Sequence, residues 1–114
     1  MKSHRTLARH ILDSISHIEQ YTHGVEKEEF LSNFMIQDAV VRNLEIIGEA
    51  CKYISPDVKE NFPDIPWRDI NGMRNKLVHE YFRVDPEIVW NVVQFDLEDL
   101  KKYANQILNY LTEQ

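Results

Sequence analysis

The 114-residue chain has little of what makes tight turns and cross-links: one cysteine, three glycines and four prolines. The single thiol, Cys51, excludes an intrachain disulfide and fits a reducing compartment. So few glycines and prolines argue against a turn-rich all-β fold. No uninterrupted apolar run exceeds three residues, as in Phe34-Met35-Ile36 or Ala39-Val40-Val41. A membrane-spanning helix needs about 20 predominantly apolar residues. Met1-Lys2-Ser3-His4-Arg5 leads into a mixed segment with no signal-peptide core. Together these absences read as a cytoplasmic protein with no membrane association. Positive charge is scarce too, with 13 Lys and Arg against 19 Asp and Glu, a net of −6. That opposes a surface that coats nucleic acid, which relies on Lys and Arg to neutralise phosphates.

What is present reads as one globular domain over residues 1–114, since apolar residues make up 43% and disordered chains are poorer in them. Four helical patterns appear and no convincing strand. In the first, from about Ser3 to Tyr21, Leu7, Ile11, Ile15 and Ile18 make one apolar stripe, and Gly24 ends it. The second runs from about Lys27 to Ile54 as a single helix, with Ile36, Val40, Leu44, Ile47, Cys51 and Ile54 as its stripe. At about 1.5 Å per residue it would be about 40 Å long. Gly48 interrupts this pattern at a cost of about 1 kcal/mol relative to Ala, which a close helix–helix approach would explain. Ser55-Pro56-Asp57 then opens a short helix as cap and first turn, ended by Asn61-Phe62-Pro63.

The third main helix begins around Pro66, with Ile70, Met73, Leu77 and Val78 as its apolar side, and ends near His79 or Glu80. Asp85-Pro86-Glu87 caps the last one. Its main stripe is Val89, Val93, Leu97, Leu100, Ala104, Ile107 and Leu111, with Ile88, Val92 and Phe95 beside it. So broad a face suits either a dimer surface or the monomer core. The expected architecture is all-α, an antiparallel bundle of four to five helices.

The usual catalytic templates fail. The glycines are isolated and form no phosphate loop, and no serine sits in a nucleophile elbow. Cys51 reads as a buried structural thiol. His10 and His17 lie about 10.5 Å apart along the helix axis, too far to share a metal, and read as solvated. Glu26, Glu28 and Glu29, and likewise Glu98 and Asp99, read as solvated faces. No metal site or cofactor is called for.

The unusual stretch is residues 68–83, where Arg68, Arg74, Lys76 and Arg83 outweigh Asp69 and Glu80 in an otherwise acidic chain. Asn71, Asn75 and His79 recur every four residues as a polar ridge. Gly72 leaves room for another backbone. Arg74 and His79 are about 140° apart on an ideal helix, so they meet on one phosphate only if His79 lies at a frayed or bent end. An Arg to hold phosphate oxygens and a His to move a proton are the parts that RNA cleavage by the adjacent 2′-hydroxyl requires.

Arg74-Asn75-Lys76-Leu77-Val78-His79-Glu80-Tyr81 resembles the Arg-x4-His-x-Tyr motif of HepT-like proteins, a branch of the HEPN superfamily. The surroundings are similar as well, in Asp38 to Ala50, in Pro66-Trp67-x-x-Ile70-x-Gly72-Met73-Arg74-Asn75, and in Val84-Asp85 and Val89-Trp90. The resemblance implies a HEPN-like helical bundle that forms a homodimer, with both motif segments facing one cleft. It further implies a metal-independent RNase toxin of a type II toxin–antitoxin pair. The partner would be an MNT nucleotidyltransferase antitoxin that moves AMP from ATP onto the motif tyrosine, here Tyr81.

On this reading His79 is the acid or base, Arg74 holds the phosphate, and Asn75 orients. Arg42 and Glu45 are secondary candidates for lining the cleft or bracing Arg74, within a group that includes Asn43 and Glu49. A different class of reading is a non-enzymatic helical dimer that binds a nucleotidyltransferase and is modified by it. The net charge favours that alternative, and the intact Arg74, Asn75 and His79 favour the ribonuclease.

Overall fold

The computed structural model describes residues 3–79 and 84–112, and of His79 and Thr112 the backbone alone. The described residues form α1 (His4–Thr22), α2 (Lys27–Ser32), α3 (Phe34–Lys52), α4 (Pro56–Lys59), α5 (Trp67–His79), α6 (Pro86–Asn91) and α7 (Leu97–Thr112), with a π-helical turn, Val92–Asp96, joining the last two. No strand occurs among them. The expected all-α, HEPN-like bundle is the fold.

Local chemistry sets most helix ends. The Ser3 hydroxyl accepts from the Thr6 N–H at 3.1 Å. Ser55 does the same for Val58, and the Asp85 carboxylate for Glu87. Each supplies an acceptor for a backbone donor that a helix start leaves unpaired. Gly24 follows α1 with φ +72°, a conformation that other residues adopt at a cost. α5 starts one residue after Pro66, whose carbonyl takes the first helical hydrogen bond, from Ile70.

Two expectations about helix continuity are corrected. The helix expected from Lys27 to Ile54 is broken at Asn33, which has φ −109° and ψ 95°. Its side chain accepts from the Ile36 N–H at 3.1 Å, so it caps α3 instead of continuing α2. The Gln37 amide then donates to the Phe30 carbonyl at 2.8 Å and fastens the bend. The last helix, expected to be regular, contains the π turn, in which the Leu97 N–H reaches back five residues to the Val92 carbonyl. The spacing explains it. Val89, Val93 and Leu97 are four apart, and in a regular helix two such steps drift about 80° around the axis. The wider turn absorbs the drift, and all three side chains are buried.

α1 packs against α3 and α7, and α3 against α5. The pairing of α1 with α3 is antiparallel. His4, at the start of α1, accepts from the Ser55 N–H just past α3, and His17, near its end, donates to Asn43 inside α3. Lys101 of α7 pairs with Glu19 of α1 at 3.2 Å. α2 is held on α6 by Phe30 against Trp90 and by the Lys27–Glu87 ion pair at 2.6 Å. Phe30 is fully buried. The α1 stripe and the main stripe of the last helix enter one continuous core as expected, Leu111 being partly buried.

Of the neighbouring stripe only Val92 packs, partly buried, against that core. Ile88 and Phe95 are exposed, because no element covers that side of α6 and the π turn among the described residues. Val78 is exposed as well, pointing away from the α5 face that buries Ile70 and Leu77. Gly72 has open space where a Cβ would stand, so no backbone among the described residues closes on it.

Cys51 is buried in α3 as expected, and desolvation pushes its thiol up to about 12, with Lys59 pulling weakly the other way. A thiol held that high keeps very little of the reactive thiolate at pH 8. Iodoacetamide at pH 8 is therefore expected to label the folded chain at least about 100-fold more slowly than the urea-unfolded chain. Equal rates, read by mass spectrometry, would contradict this burial.

Candidate functional site

α5 carries the motif, and its placement begins at Trp67. The indole N–H donates to the Phe62 carbonyl at 3.1 Å, and the Lys59 ammonium lies 5.3 Å from the ring centre. Ile70 and Leu77 face the core and Met73 is partly buried against it. This rotation of the helix turns Arg74 toward α3, where Gly48 is its immediate neighbour. A Cβ on Gly48 would collide with the Arg74 Cβ and come within 2.7 Å of its Cγ. The close approach expected at Gly48 is thus real, and the side chain it admits is the motif arginine.

The next residue on α3 fixes that arginine. Arg74 Nε donates to Glu49 Oε2 at 2.8 Å, and Arg74 Nη1 donates to Asn75 Oδ1 at 2.7 Å. Arg74 is 16% exposed and Glu49 45%. Charge-assisted bonds of this length hold a guanidinium more firmly than neutral ones. The remaining amino group, Nη2, has no partner among the described residues.

Asn75 therefore has two neighbours in the motif, one bonded and one along the chain. It shares Arg74's hydrogen bond, and it lies one turn before His79 on the same ridge. His79 is the last described residue of α5. Its side chain, Tyr81 and the segment 80–83 lie outside the described residues.

The α3 candidates separate. Arg42 is largely exposed and loosely paired with Glu45 at 3.7 Å. Neither touches Arg74 among the described ion pairs. The bracing carboxylate is Glu49, one turn beyond Glu45. Its place directly after Gly48 was the available signal, since a residue beside the closest point of two helices reaches across most easily. Asn43 is buried and structural. Its amide donates to the Ala39 carbonyl at 2.9 Å and its oxygen accepts from His17 Nδ1 at 3.3 Å. His17 is exposed, as the sequence reads it, and its Nδ1 also ties α1 to α3 through Asn43.

Beside this cluster a groove of about 890 Å³ runs between α1, α3 and the end of α5. Leu7, Ile46, Ala50 and Val78 give it an apolar lining, and Val78 is 39% exposed there. Its rim carries both signs, Arg42 with Glu45 and Glu49, and the imidazoles of His4 and His10 beside them. Among the described residues no three His, Cys, Asp or Glu side chains are placed to share a metal ion. No described helix is long and apolar enough to cross a membrane.

Comparison with known proteins gives the geometry a context. The family model described as Ribonuclease HepT-like matches residues 11–107. A Thermococcus cleftensis protein named "Probable ribonuclease HepT" is 44% identical over 100 residues, 88% of this chain and 91% of its own. A Methanocaldococcus jannaschii protein named "Putative RNase MJ1380" is 44% identical over 92 residues, 81% of this chain and 84% of its own. A shorter similarity, 44% over 41 residues, links 36% of this chain to 28% of a protein of Aphanizomenon flos-aquae named "tRNA nuclease HepT". No solved structure gives a significant match.

Gly48→Ala tests the helix contact. At an exposed helical site Ala stabilises by about 1 kcal/mol over Gly. Against Arg74 the added methyl must displace backbone-anchored atoms, and overpacking of this kind costs about 1–3 kcal/mol. Urea denaturation is expected to show a net loss of stability. A gain would mean that α3 and α5 are not in close contact there.

Proposed function

We propose, because this chain belongs to the HepT-like ribonuclease family, that it is a ribonuclease toxin of a type II toxin–antitoxin pair. In this reading it cleaves RNA without a metal, at a site composed from the Arg74–His79 motifs of two copies. The observation that carries the reading is the state of Arg74. Glu49 and Asn75 hold its guanidinium on two edges, and no described residue takes Nη2, which can then meet a non-bridging phosphate oxygen. A cation fixed before substrate arrives loses little freedom on binding and stabilises charge as it develops. Glu49 is then the positioning residue of the site.

The proposed step is transesterification. One His79 takes the proton from the ribose 2′-hydroxyl while that oxygen attacks phosphorus. The bond to the 5′-oxygen breaks, and the His79 of the second copy supplies the proton that this leaving oxygen needs. The products are a 2′,3′-cyclic phosphate and a 5′-hydroxyl. With one histidine per motif, a second copy would supply the group for the other proton transfer. The groove beside Glu49 and Val78 supports this pairing, because a two-fold contact requires a surface that complements itself. A rim with Arg42 and His10 as well as Glu45 can pair across such an axis.

The antitoxin in this reading is an MNT nucleotidyltransferase. It joins the α-phosphate of ATP to the Tyr81 hydroxyl, and pyrophosphate leaves. Tyr81 follows His79 by two residues, so the added phosphate brings negative charge and bulk close to Arg74. That would compete with the RNA backbone for the same cation.

The deciding experiment is cleavage of single-stranded RNA by the purified chain in EDTA, beside His79→Ala and with mass and helicity matched. General acid–base catalysis contributes about 10²- to 10⁴-fold, so a loss of at least about 100-fold is expected. An undiminished rate in His79→Ala would falsify the assignment. If the wild type is inactive, intact mass separates a chain carrying AMP on Tyr81 from a bare one, and a bare, inactive chain favours the non-enzymatic dimer. Glu49→Ala is expected to lower the rate with helicity unchanged, and Glu49→Gln, which keeps an acceptor for Arg74 Nε, to recover part of it. Equal rates in both variants would remove Glu49 from the site.

A further inference from the structure

A second groove, of about 380 Å³, lies between α5 and the helix formed by α6, the π turn and α7. Ile70, Met73 and Leu77 line it from α5. From the other side comes one face of the last helix, with Val92 and Tyr103 partly buried against the core and Ile88 exposed. Asp85, Ile88, Val92, Asp96, Asp99 and Tyr103 all line the groove, at spacings of three or four that keep them on one side of the helix. Ile88 stands 47% exposed at the lip. The π turn runs through the middle of this wall and contributes both its first and its last residue, Val92 and Asp96. Turns of this kind occur frequently at functional sites.

The rim has one dominant sign. Asp69, Asp85, Asp96 and Asp99 come to it from α5, the α6 cap, the π turn and α7, against Lys76 alone among the described lining cations. Asp69, Asp96 and Asp99 enter no ion pair among the described residues. This surface is the opposite of the mixed-sign groove beside Glu49. A second copy meeting it about a two-fold axis would set carboxylate against carboxylate, and RNA would bring phosphate to the same charges. Both occupants are disfavoured by charge.

We propose that this groove is a docking site for a basic amphipathic helix of a partner protein. Apolar side chains of that helix would cover Ile88, Val92 and Met73, and Lys or Arg on its flanks would meet the four aspartates. The length agrees. From Asp85 to Tyr103 the wall runs about 27 Å at about 1.5 Å per residue, which a partner helix of about 18 residues matches. The proposal is independent of the ribonuclease reading, since none of these residues belongs to the Arg74 cluster.

The probe is a fluorescein-labelled, 18-residue amphipathic Leu/Lys helix, beside the same peptide with Glu in place of Lys. Binding to the full-length chain is followed by anisotropy, and the site is mapped from amide shifts of the ¹⁵N-labelled wild type. The Leu/Lys peptide is expected to bind, the Leu/Glu peptide not, and the largest shifts to fall at Asp69, Ile88, Asp96 and Asp99. The double variant Asp96→Asn/Asp99→Asn, and separately Ile88→Ser, should each weaken binding at least about tenfold, a change of about 1.4 kcal/mol. Glu28→Gln/Glu29→Gln removes the same charge from α2 and should have no effect.

Several outcomes overturn the proposal. These are no binding, shifts elsewhere, and equal weakening by the two double variants, which would mean attraction to net charge alone. Displacement of the peptide by RNA would also overturn it. So would a fall in solution mass in Ile88→Ser, which would place a second copy in the groove.

Discussion

The contact between Gly48 and Arg74 sets how closely α3 and α5 approach, and the candidate site depends on it. Only a residue without a side chain lets the Arg74 stem lie against α3. Once it does, the guanidinium emerges beside Glu49, and the 2.8 Å bond to that carboxylate follows from position. A bulkier residue at position 48 would push α5 outward and separate the pair. The helical cost of glycine at that point is therefore offset by a function of the packing, which places a charged group at the edge of an apolar interface. Arg74 is mostly buried yet compensated, the condition under which a charge is tolerated away from water.

Charge is partitioned over the rest of the surface in a way that net −6 conceals. One groove, beside the motif, is rimmed by both signs. The other, between α5 and the last helix, is rimmed mainly by aspartates. Both are floored by apolar side chains, so the hydrophobic component does not distinguish them. The sign of the rim does. α5 contributes to both grooves, with Val78 in the first and Ile70, Met73 and Leu77 in the second.

Some features were legible because their causes are local. Ser3, Ser55 and Asp85 cap helices through side chains two or three residues from the donors they satisfy. The α1 stripe and the main stripe of the last helix are each periodicities within one segment. Asn33 was legible in principle, since Asn is a strong N-cap, yet Ile36 continued the apolar spacing across it and disguised the break. The π turn also had a trace, in the four-and-four spacing of Val89, Val93 and Leu97. That spacing distinguishes a widened turn from a drifting stripe only when the buried face is known.

By itself, then, the sequence determined the helical class, the ends of most helices and the segment that carries the Arg-x4-His motif. All of these follow from periodicity, capping and residue order, which act over a few neighbours. Tertiary structure decided that Glu49 and not Glu45 braces Arg74, that Asn43 and His17 are a cross-brace, and that Val78 and Ile88 face outward beside grooves. Each of those outcomes depends on the rotation of one helix against another. Stripe spacing gives that rotation only to within about one residue's angular step of 100°, a difference large enough to exchange a core residue for a surface one.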